Sequence, residues 1–65
     1  MYMSMTVRTD DKEHPVDYEV MAKAMIAAAE RVKNGNTAAM FTMDFPHTHQ
    51  GDSDNARYDV EFEVE

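Results

Sequence analysis

The stretch RYDVEFEVE, residues 57–65, alternates without a break. Tyr58, Val60, Phe62 and Val64 fall on one side of it. Asp59, Glu61, Glu63 and Glu65 fall on the other, with Arg57 the one base in line with them. Period-two alternation is the mark of a half-buried strand, because successive side chains point to opposite faces of a sheet. One face of this strand demands a core. The other presents four carboxylates, and any fold for this chain must account for both.

The same reading extends upstream. Residues 2–9 alternate, with Met3, Met5 and Val7 on one face and Tyr2, Ser4, Thr6 and Arg8 on the other. Residues 37–45 also alternate, with Ala39, Phe41, Met43 and Phe45 opposed to Ala38, Met40, Thr42 and Asp44. The last strand is expected to span 56–64, with Ala56 also inward. Between the first two strands the period changes. Tyr18, Met21, Met25, Ala28 and Val32 recur at three- and four-residue spacing, and Ala22, Ile26 and Ala29 widen the stripe. A helix over 15–34 is expected. Pro15 suits its first position, where a missing N–H costs nothing. His14 stands at the expected cap, and Asn34-Gly35-Asn36 supplies a stop.

The expected fold is therefore a single α+β domain over residues 1–65. It is a two-layer β-α-β-β arrangement, with one amphipathic helix on a three-stranded mixed or antiparallel sheet. The first two strands are joined through the helix, which favours a right-handed crossover. The third strand is expected to insert between them, which puts Val60, Phe62 and Val64 under the middle of the helix. Element order and the acidic last strand resemble the dodecins, small flavin-binding shells. That resemblance implies an aromatic flavin stack on the second strand. The chain has no Trp to supply one, so no cofactor is expected.

Size and composition bound the function. At 65 residues, a chain buries only about 60% of the surface its unfolded form exposes. With no Cys, disulfides cannot reinforce it. There is no Leu, Ile26 is the only Ile, and seven Met take their place. Met fills irregular gaps but specifies packing poorly. Neither a membrane-spanning run nor a signal-peptide pattern is present, so a cytoplasmic protein is expected. Thirteen acids against six bases give a formal charge of −7. That charge opposes direct binding to nucleic acid or anionic membrane and attracts basic partners.

Two features carry candidate sites. The first is the acidic row Asp59, Glu61, Glu63 and Glu65, extended by Asp44, Asp52 and Asp54. Tyr2 and Met40 stand among these as apolar anchors. Regularly spaced carboxylates on a small scaffold can imitate a phosphate backbone and occupy a Lys/Arg groove. This points to a nucleic-acid mimic that inhibits a basic, nucleic-acid-handling protein, in the manner of small phage anti-restriction and anti-CRISPR inhibitors. A plainer alternative is a solubilising face whose charges block aggregation, on a structural protein that pairs as a homodimer. The second feature is DFPHTHQGDSDN, residues 44–55, in which Pro46 and Gly51 break the alternation and a hairpin loop of about ten residues is expected. His47 and His49, with Asp52 folding back, could ligate zinc or nickel. Ser53 beside these His and Asp residues has neither an orienting group nor a pocket, so no catalytic residue is assigned and no enzyme is expected.

Overall fold

The computed structural model describes residues 1–49 and 52–65, with side chains for 1–46 and 55–65. Four elements follow in order: β1 (Met3–Arg8), α1 (Tyr18–Lys33), β2 (Ala38–His49) and β3 (Asp52–Val64). The sheet order is β1-β3-β2, and both pairings are antiparallel. The third strand thus inserts between the first two, as the buried face of 57–65 requires. Backbone bonds between Tyr2 and Glu65, 2.9 Å in each direction, carry the β1–β3 ladder one step further.

Strand phase follows the alternation among the described side chains, with Met3 of the inward set 40% exposed at the end of β1. Ala56, Tyr58, Val60 and Phe62 are buried, and Met5, Val7, Phe41, Met43 and Phe45 are half-buried beside them. Aromatic rings tile this inner face. Phe41 meets Phe62 and Phe45 meets Tyr58, each edge-on with centroids 6.4 Å apart, a geometry that sets a positive ring edge against a negative ring face.

The helix differs from expectation in phase and in start. It buries Ala28 as expected, together with Val20 and Ala24, and half-buries Met21 and Val32, whereas Tyr18 is 96% exposed, Met25 52% and Ile26 61%. Ala22 and Ala29 are exposed as well. The cause is volume. An inner face already filled by Tyr58, Phe62, Phe41 and Phe45 leaves room for alanines, and a close-packed interior has none for Tyr and Met opposite them. Two cations finish the seam. The Arg31 guanidinium lies 3.7 Å from the Phe41 ring centroid and donates to the Ala27 carbonyl at 3.0 Å. The Lys23 ammonium stands 6.0 Å from the centroid of Phe45.

The helix begins at Tyr18 rather than Pro15 because Asp17 is the cap. Its carboxylate accepts the Val20 N–H at 2.8 Å. His14, expected as the cap, belongs to the turn before it. The Asp11 carboxylate accepts the N–H groups of Glu13 and His14 at 2.9 and 3.1 Å and meets His14 Nδ1 at 3.1 Å. At the other end, Gly35 takes φ +99. The N–H groups of Gly35 and Asn36 return to the carbonyls of Val32 and Arg31 at 2.9 and 3.0 Å. This is a Schellman stop, and it needs the left-handed residue that glycine supplies.

The hairpin also departs from expectation. The ten-residue loop is largely paired strand, since β2 runs to His49 and β3 starts at Asp52. Pro46 does not end β2, because β2 is an edge strand and a missing N–H is tolerated there.

Candidate functional site

α1 covers one face of the sheet. The other face is bare among the described residues, and alternation along β3 fills its centre with charge. Arg57, Asp59, Glu61, Glu63 and Glu65 are all exposed. Successive carboxylates along such a strand stand about 6.6–6.8 Å apart, two residue rises.

The register shows which of these charges are balanced. On β1, Arg8 is opposite Asp59, Thr6 opposite Glu61 and Ser4 opposite Glu63. On β2, Asp44 is opposite Arg57, Thr42 opposite Asp59, Met40 opposite Glu61 and Ala38 opposite Glu63. Both arginines therefore lie at the Asp44–Asp59 end. Glu61 and Glu63 have only neutral cross-strand neighbours. The face is polar along its length, mixed at one end and purely anionic at the other.

The two expected anchors sit at the anionic end. Met40 is 72% exposed beside Glu61, and Tyr2 is 63% exposed beside Glu65. The Glu65 carboxylate accepts a hydrogen bond from the Tyr2 phenol and so raises the phenol's pKa above its ordinary value, with desolvation adding to the effect. Arg8, Met40, Thr42, Asp59 and Glu61 surround a shallow depression of about 270 Å³. Arg8 gains a role that sequence reading did not give it. The signal was its place on the outward face of residues 2–9, but its position opposite Asp59 is visible only once the β1–β3 register is known.

The remaining expected residues are placed by backbone register alone. His47 pairs with Asp54 and His49 with Asp52 across the hairpin. The side chains of His47, His49, Asp52 and Asp54 lie outside the described residues. So the expected zinc or nickel ligands, and the extension of the acidic patch by Asp52 and Asp54, lie there too. Among the described residues, no group of three or more His, Asp or Glu is arranged to hold a metal ion.

No family model, curated protein or solved structure matches the chain. No helix among the described residues is long and apolar enough to cross a membrane.

Proposed function

We propose that this chain is a non-enzymatic interaction protein whose bare sheet face binds and inhibits a basic, nucleic-acid-handling protein. One observation carries the reading: Glu61, Glu63 and Glu65 stand exposed in a row on an uncovered sheet face, and no base lies opposite Glu61 or Glu63. A face needing only solubility would intersperse both signs, since like charges in a row repel. The row instead concentrates one sign on a rigid surface, as the phosphates of a nucleic acid do, and it would enter the Lys/Arg groove such a partner keeps for them. Tyr2 and Met40 supply apolar contact inside the charged rim, where interface cores favour those residue types. The partner's own ligand is then excluded by occupancy.

The test is affinity capture on the immobilised chain from extract of its native host, followed by elution with duplex DNA or with salt. A genuine partner is released by both. The double substitution Glu61→Lys with Glu63→Lys leaves the fold intact, because both positions are exposed, and abolishes capture. Retention of the partner by that variant, or capture indifferent to salt, overturns the reading and leaves the acidic face as a solubilising surface.

A further inference from the structure

We infer that the outer face of α1 pairs two copies of this chain, helix against helix and antiparallel, about a two-fold axis at Ile26. This face lies on the layer opposite the acidic row, so the inference stands independently of the proposed function.

α1 carries two apolar stripes and the sheet covers only one. The covered stripe is Val20, Ala24 and Ala28. The second is Tyr18, Ala22, Met25, Ala29 and Val32, spaced four, three, four and three. That is the spacing of a coiled-coil seam, which keeps one side of a helix facing a neighbouring helix. Tyr18 is 96% exposed and Met25 52%, Ala22 and Ala29 are exposed, and Val32 is half-buried at the seam's end. Exposed alanines between larger residues let a second backbone approach closely, with Tyr and Met filling the space beside them.

The charges beside the seam name the occupant. Glu19, Glu30 and Lys33 flank it with Ile26, 61% exposed, at their centre, and Lys23, whose ammonium stands near Phe45 on the sheet side of the same flank, completes the series. Turn a second copy antiparallel with Ile26 on the axis. Glu19 then falls opposite Lys33 of the second copy, and Lys23 beside its Glu30. In antiparallel helix pairs, flanking positions on the same side meet in this way. A parallel pair would set this flank of one helix beside the opposite flank of the other, away from its charges, so only the antiparallel pair brings acids and bases together. The charge order reads acid, base, acid, base, and its own reverse complements it.

Global charge permits the contact on this layer. Within α1 two acids face three bases, a net +1, so the other residues carry −8 of the chain's −7 total. Two copies meeting through α1 keep their acidic faces on the outside, as far apart as the molecule allows. The exposed stripe is comparable to the largest apolar patch on a typical monomer, about 300–600 Å². Two patches of that class together remove about 600–1,200 Å² from water, at or below the lower end for a specific stable interface. A weak, reversible dimer is what that area supports. The two-fold also closes on itself, so pairing stops at two and no fibre follows.

Sedimentation equilibrium from micromolar to millimolar chain concentration tests this, with circular dichroism as the check on folding. The wild-type chain is expected to dimerise reversibly. Ile26→Lys and Ile26→Glu, each on the axis, set like charge on like charge, and each is expected to weaken the dimer by roughly tenfold or more. An equimolar mixture of the two variants restores it, because Lys then meets Glu across the axis. Ala22→Arg, a bulky charge in the seam, gives the same loss should an Ile26 variant fail to fold. A wild-type chain that stays monomeric at millimolar concentration overturns the inference. So does a dimer that survives Ile26→Lys, which would place the contact at a strand edge or the sheet face. A mixture that stays monomeric overturns the antiparallel two-fold.

Discussion

Three side chains hold the entry to the helix, and each makes a separate prediction. Asp17 satisfies one of the N–H groups that a helix start leaves without an intrahelical partner. Asp17→Ala is expected to cost about 1 kcal/mol, which in a domain this size lowers the melting temperature by about 4–8 °C. Tyr58 is fully buried, and its hydroxyl donates to the His14 carbonyl at 2.9 Å. Tyr58→Phe keeps the ring in the core and removes that bond, so denaturant titration should show a loss of about 1 kcal/mol with an unchanged slope. The third prediction concerns pH. Asp11 titrates below its ordinary value, chiefly because of its bond to His14 and also because two backbone N–H groups favour the carboxylate. A depressed folded value means that its contribution is present above the unfolded value and is lost as pH falls through the folded one. Tyr58 runs the other way. Burial first, then the nearby charges of Asp17 and Asp11, raise it above 10.0. Its contribution is complete below the unfolded value and is lost as pH climbs through the raised one. Melting curves across pH should fall at both extremes. Asp11→Asn should flatten the acid side and Tyr58→Phe the alkaline side.

At the scale of the element, the strands were legible and the helix only partly so. Alternation is a binary pattern, and Val60, Phe62 and their neighbours could point only one way once the strand was recognised. A helix has no such parity. Counting apolar residues selected Tyr18, Met21 and Met25 as the core stripe, because they are the large ones. Packing kept Ala28 of that stripe but chose Val20 and Ala24 over Tyr18 and Met25, because the sheet had already supplied the volume. The excess itself was the available signal: apolar residues cover a wider arc of α1 than one sheet face can bury. Pro15 misled for a related reason. Proline is tolerated at a helix start, but the side chain able to cap was Asp17, two residues on. Pro46 misled because its effect depends on whether its strand is at an edge, which is a tertiary fact. The acidic row was legible and its balance was not, since cross-strand partners follow from register. That register makes a prediction for the face. Arg8 opposes Asp59 and is exposed, so Arg8→Ala extends the anionic row by one unbalanced carboxylate. It should raise the salt concentration needed to elute the captured partner. Arg57→Ala should act similarly by unbalancing Asp44. Elution at lower salt from either variant would mean that the mixed end contributes through its arginines.

Across the whole molecule, the charge that serves binding works against folding. The molecule measures 43 × 19 × 17 Å and carries −7. At about 0.01 M salt the screening length is about 30 Å, so nearly every carboxylate feels every other; at 1 M it falls to about 3 Å and only neighbours interact. The folded state concentrates these charges, whereas the unfolded chain spreads them, so self-repulsion destabilises the compact form. The core set against it is small, with Tyr58, Phe62, Val20 and Val60 its largest fully buried side chains. Stability should therefore rise with added sodium chloride, read as a melting temperature that climbs steadily from low to molar salt. If the repulsion is centred on the bare sheet face, Glu61→Gln with Glu63→Gln should melt higher than wild type at low salt and respond less to salt, because both neutral amides sit where the unbalanced carboxylates sat. The same variant should lose the captured partner. Higher stability with lost binding would show the row held in place against its own cost, as functional sites commonly are. Equal melting temperatures and an unchanged salt response would move the repulsion elsewhere on the chain, and with it the strongest physical reason for reading this face as more than a solvated surface.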